Sequence, residues 1–160
     1  MPGSQDTLIS LSDATASAYF LYGIEAGLLP LEAAREWAFS LIADRSHPSI
    51  QIIEVATADR RETAISCLRA VAPDADLVLA GRLLLATLHD QLRLGQFSLR
   101  SSLNMARQIT SSTCPDSQAY QDFDLLDDEL LLAEHGIYGT VDDVMESSLS
   151  VMSEPVMVRS

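Results

Sequence analysis

The chain has 160 residues, 48% hydrophobic and 21% charged, a globular composition that excludes disordered and fibrous classes. Its longest uncharged stretch, Ala14 to Ile24, is eleven residues, roughly half of what a bilayer requires, so no membrane span is expected. All ten basic residues are arginine, and without lysine neither P-loop phosphate binding nor Schiff-base chemistry can occur.

Leucine and alanine dominate and alternating stretches are scarce, so the expected fold is all-α. One helical domain over 1–160 is predicted, a bundle of αα-hairpins with about six to eight helices. Ser12 caps a first helix, from Asp13 to Ala26, that Gly27 ends. Pro30 opens a second helix, with the apolar stripe Ala34, Trp37, Ala38 and Leu41. Ile50 to Ala56 suits a two-turn buried helix or a short strand, and helix is favoured because no second strand offers pairing. Asp59 caps a helix to Val71. Pro73 and Asp74 precede the longest element, Ala75 to Leu94, apolar nearly all round and therefore expected at the centre. Gly95 ends it, and Ser98 caps the next helix, to Thr110.

A polar Ser/Thr/Asp/Pro stretch, 111–121, reads as an internal loop. Asp124 with Asp127 reads as a cap and its third-residue partner, opening a helix that Gly136 ends. Thr140 with Asp143 opens the last helix, to Met152, and Pro155 closes the ordered region. The ends, 1–11 and 156–160, are expected to be flexible. Helix, glycine, short turn and capped helix recur at Gly27, Gly95 and Gly136, the third time with one extra residue. The inward stripes match: Ser102, Met105, Ala106 and Ile109, then Val144, Ser147, Ser148 and Val151.

Net charge is −13, and it is unevenly placed. From Asp116 to Ser160 there are eleven acids and one arginine; before that there are twelve acids and nine arginines. Such a field disfavours nucleic acid and anionic membranes and attracts a basic protein partner. Asp124, Asp127, Asp142 and Asp143 have work at predicted helix starts. Asp116, Asp122, Asp128, Glu129, Glu134 and Glu146 do not, and they are the candidate partner-binding residues. Glu154 also has no cap role.

No catalytic signature stands beside them. GxSxG, GxGxxG, CxxC and HExxH are absent, so no catalytic residue, cofactor or metal is expected. His47, His89 and His135 lie far apart, without ligand spacing. The acids from Asp122 to Glu129 miss the calcium-loop pattern, since Leu126 and Asp127 stand where a ligand and a glycine belong. Glu54 lies in an apolar run and is expected to pair with Arg35, Arg60 or Arg61, or to face water. Cys67 and Cys114 are expected to be reduced. The first basic residue is Arg35, so no signal peptide is expected and the cytoplasm is the expected location.

Tyr22-Gly23, Gly27-Leu28-Leu29, Glu36-Trp37-Ala38, Leu41-Ile42, Pro48, Ile53-Glu54-Val55 and Leu68 form a pattern in the first half. Together with Asp127-Asp128-Glu129-Leu130, His135-Gly136, Tyr138-Gly139 and Asp142-Asp143-Val144, it resembles small uncharacterised bacterial all-helical proteins. Some of these are immunity proteins encoded beside polymorphic or contact-dependent toxins. The resemblance implies a small helical protein without enzymatic activity and, further, a toxin-neutralising role. The expected function is a non-enzymatic, acidic protein-interaction module. Two alternatives stand beside it. One is a small-ligand or enzymatic domain with a pocket near Trp37, Tyr19, Tyr22 and Glu54; the other is an acidic secretion chaperone or adaptor.

Overall fold

Hydroxyl caps start five of the helices. Ser12, Ser49, Ser98, Ser117 and Thr140 each accept a backbone N–H from three residues on, which satisfies a donor that has no partner inside the helix. The computed structural model describes residues 10–154. Among them eight helices follow one another: α1 (Asp13–Glu25), α2 (Leu31–Asp44), α3 (Ile50–Thr57), α4 (Arg61–Val71), α5 (Leu77–Arg93), α6 (Leu99–Thr113), α7 (Gln118–Glu134) and α8 (Val141–Ser153). The chain is all-α, as its composition predicts. The ends expected to be flexible, 1–11 and 156–160, lie outside the described residues apart from Ser10 and Leu11, and so does Pro155.

Gly27, Gly95 and Gly136 close the same kind of turn. Each has positive φ, at +83°, +75° and +67°. At each, the following residue's N–H reaches back to a carbonyl five residues earlier: Leu28 to Gly23, Gln96 to Gln91 and Ile137 to Leu132, at 2.9–3.0 Å. This is the Schellman arrangement, which only a left-handed residue completes. The threefold recurrence seen in the sequence is thus a recurrence of turn geometry; the inward stripes match only in part, since Ser147 is exposed and Met105 and Val151 are half-buried.

The chain divides into two compact units, Met1–Ala80 and Gly81–Ser160. In the first, α1 packs on α4, α2 on α3 and α3 on α4. All residues of α1 from Thr15 to Leu21 are buried, so α1 is the helix enclosed on all sides. Trp37 is 4% exposed and lies 5.3 Å from the Phe20 ring, centroid to centroid. The predicted stripe Ala34, Trp37, Ala38 and Leu41 comprises the buried residues of α2. Ile50 to Ala56 is helical, and its inward residues are Ile52, Val55 and Ala56. Arginines tie the ends of these helices: Arg45 forks onto Asp13 at 2.5 and 2.7 Å, and Arg69 meets Glu25 at 2.5 Å. The bond to Asp13 holds the Arg45 guanidinium above its ordinary pKa.

In the second unit α7 packs on both α6 and α8. Its core takes Leu84, Leu85, Leu88 and Leu92 from α5, Leu103 and Ile109 from α6, Phe123 and Leu130 from α7, and Val144 and Met152 from α8. Gly81 on α5 lets Thr113 of α6 come close: a Cβ there would overlap Thr113 Oγ1 and stand 3.0 Å from Thr113 Cβ.

Four expectations are corrected. The loop at 111–121 shrinks to Cys114–Ser117, because α6 runs on to Thr113 and α7 starts at Gln118. Thr110 and Thr113 donate their hydroxyls to the carbonyls of Ala106 and Ile109, so their polarity is satisfied inside the helix. Asp124 and Asp127 therefore lie within α7 rather than at its start, where Ser117 is the cap. Asp59 does not cap α4, whose N-cap is Arg60 without a side-chain bond. The leucine-rich α5 buries one stripe and exposes Arg82, Ala86 and Arg93; it shares the greatest length, 17 residues, with α7.

Candidate functional site

The second unit carries the acidic face, and its own arginines divide that face. The two units hold nearly equal charge: eleven acids and five arginines in 1–80, twelve and five in 81–160. The asymmetry lies within the second unit. Arg82, Arg93, Arg100 and Arg107 all precede α7, and the described part of α7–α8 has none. From α6, Arg107 reaches Asp124 at 2.9 Å and Asp127 at 3.5 Å. Arg100 lies 3.6 Å from Asp127 and pairs with Glu134. Three acids are thereby neutralised across the α6–α7 contact.

The six candidate residues separate accordingly. Glu134 is engaged by Arg100, which withdraws it from the free acidic set. Asp122 accepts from Gln118 Nε2 at 3.0 Å, one turn away on α7. Asp116 in the turn before α7, Asp128 on α7 and Glu146 on α8 are exposed and have no ion pair among the described residues. Glu129 is half-buried and also lacks an ion pair there. Asp142 and Asp143 occupy the first turn of α8, where the positive end of the helix favours them.

Glu129 opens onto a cleft of about 290 Å³ that sequence reasoning did not find. α7 contributes Glu129; α8 contributes Asp143 and Ser147; the turn between them contributes Tyr138, Gly139 and Thr140, with buried Val144 at the base. Gly139 sits at φ +70°, the one extra residue of this turn. Beside the cleft, Ile137 and Tyr138 are 71% and 74% exposed. Leu125, Leu131, Leu132 and Val141 are exposed too. The sequence signal for it was the one-residue insertion in the third turn.

The other candidate chemistry stays apart. Trp37 and Tyr19 are core residues, whereas Glu54 is exposed and accepts from the Cys67 thiol at 3.4 Å. Burial first, then the Glu54 hydrogen bond and charge, push the Cys67 thiol above its ordinary pKa. Cys67 and Cys114 are both free and buried. His89 Nδ1 lies 3.3 Å from Asp90, its chain neighbour. Among the described residues no three His, Cys, Asp or Glu side chains are grouped to hold a metal ion, and no helix is long and apolar enough to cross a membrane.

Comparison with protein families, with curated proteins and with solved structures gives no match.

Proposed function

We propose that the chain is a non-enzymatic protein-interaction module that binds a basic protein through α7, α8 and the turn between them. The observation that carries this is the unmatched acidity of that segment. Arg100 and Arg107 engage Asp124, Asp127 and Glu134, yet Asp116, Asp128, Glu129, Asp142, Asp143 and Glu146 keep no cation among the described residues. Helix ends account for Asp142 and Asp143 only. An acidic surface of this kind speeds the approach of a cationic protein and excludes acidic ones. The exposed Leu132, Ile137 and Tyr138 supply the apolar contact that turns an encounter into a complex. An immunity protein that neutralises a basic toxin is the concrete form, and the sequence resemblance supports it. The cytoplasm is the corresponding location.

The test uses the full chain and two labelled peptides, one an Arg/Leu amphipathic helix, the other the same peptide with Glu for Arg. Fluorescence anisotropy is followed across a salt series. The reading expects the basic peptide alone to bind, with affinity falling steeply as ionic strength passes about 0.15 M, where the Debye length is about 8 Å. Equal binding of both peptides, or a flat salt dependence, overturns it.

A further inference from the structure

We infer that the cleft between α7 and α8 receives one arginine side chain of the basic partner, with Ile137 and Tyr138 seating the apolar residues beside it. This rests on the reading that the chain binds a basic protein; it adds where the recognition is centred and by which group.

The first and third glycine turns carry an apolar residue after the glycine and can be compared; in the second that residue is the polar Gln96, which is exposed. In the first, the residue after the glycine, Leu28, is 6% exposed and seals the turn, as the Schellman motif favours. In the third, the equivalent Ile137 is turned outward, and so is Tyr138 after it. The backbone bonds of the two turns are alike, so turn geometry does not require this exposure. The third turn is also the one with an additional residue, Gly139, and the cleft opens there. No other glycine turn places a left-handed residue next to the following helix cap.

The cleft's charge and size select the occupant. Glu129 on one helix and Asp143 on the other both line it, and neither has an ion pair among the described residues. Arg100 and Arg107, on the adjoining α6, are already engaged with other acids of α7. A volume of about 290 Å³ is at the lower limit for small-molecule sites, which run from about 300 to 1,000 Å³, and suits a single long side chain. A guanidinium fits better than an ammonium. Its planar fork can donate to two carboxylates at once and stack on the Tyr138 ring. Thr140 and Ser147 add hydroxyl acceptors to the same lining.

The experiment compares the Arg/Leu peptide with its citrulline/Leu counterpart, which keeps the shape and loses the charge. Each is titrated against the wild-type chain and two variants. Glu129→Gln/Asp143→Asn alters the cleft; Asp116→Asn/Asp128→Asn/Glu146→Gln neutralises free acids outside it. Thermal melts confirm that both variants fold. The expected result is a loss of about tenfold or more for the cleft variant, since a charge pair in a cleft loses its partner. The outer variant should lose clearly less than the cleft variant although it removes one more charge, because exposed pairs are screened by solvent, and the citrulline peptide should bind no variant better than another. Equal losses for the two variants would overturn the cleft proposal and leave the basic-partner reading standing. Failure of the Arg/Leu peptide to bind the wild-type chain at low salt would overturn both.

Discussion

Gly81→Ala tests the close approach of α5 and α6 through the sign of its effect. Within an exposed helix, alanine is better than glycine by about 0.8–1.0 kcal/mol. At Gly81 the added methyl would overlap Thr113 Oγ1 and lie 3.0 Å from Thr113 Cβ. Thr113 is buried, and its hydroxyl is fixed by a 2.7 Å bond to the Ile109 carbonyl, so it cannot turn aside without losing that bond. Overpacking of this kind costs about 1–3 kcal/mol. The clash offsets the propensity gain and, at the upper end of its range, outweighs it, so no gain and a net loss of up to about 2 kcal/mol is expected. Urea unfolding followed by circular dichroism measures it. Thr113→Ala removes the overlapping oxygen, so Gly81→Ala should cost at least about 1 kcal/mol less in that background, a coupling that a double-mutant cycle resolves. A stabilised Gly81→Ala, or no coupling to Thr113, would refute the packing described here.

Trp37→Ala should cost about 3–5 kcal/mol in the same assay, as a buried indole leaves a large cavity; a loss below about 1 kcal/mol would place Trp37 at the surface. Trp37→Phe should cost clearly less than Trp37→Ala, because the smaller ring leaves a smaller cavity and the buried indole N–H has no partner in the structure to lose. Arg107→Gln frees Asp124 and leaves Asp127 to Arg100 alone, and should strengthen binding of the Arg/Leu peptide while lowering stability by up to about 1 kcal/mol; weaker binding would contradict the assignment of these acids. Glu54→Gln should speed alkylation of Cys67 at mildly alkaline pH in a Cys114→Ser background, because Glu54 helps hold the thiol protonated. The folded thiol has the raised pKa, so its contribution is present below the unfolded value of about 8.5 and is lost as pH rises through the folded one. A melting series over that range in the wild type and Cys67→Ser would read it as a difference that grows with pH.

Local signals placed most helix ends, because caps and stops act within a few residues. Ser12, Ser98 and Thr140 cap where predicted, and the three glycines stop their helices. The polar segment after Ile109 misled for a physical reason: a threonine hydroxyl that bonds the carbonyl four residues back is as comfortable in a helix as in a loop. The acidic face was legible as a count but not as a surface. Which acids are free depends on Arg100 and Arg107, and those pairs join residues 17 to 34 positions apart through the packing of α6 on α7. The cleft needs the same packing of α7 on α8, and one glycine more than the other turns was its only trace in the sequence.

The central claim is that α7, α8 and their turn form the surface that meets a basic partner. It is tested most directly by mapping the Arg/Leu peptide onto the full chain by amide chemical shifts. The account predicts shifts concentrated from Asp128 to Ser147, largest around Tyr138 and Asp143, and suppressed by salt. Shifts centred instead on α2 and α3, around the exposed Phe39, Ile50 and Ile53, or spread evenly over every exposed acid, would contradict it.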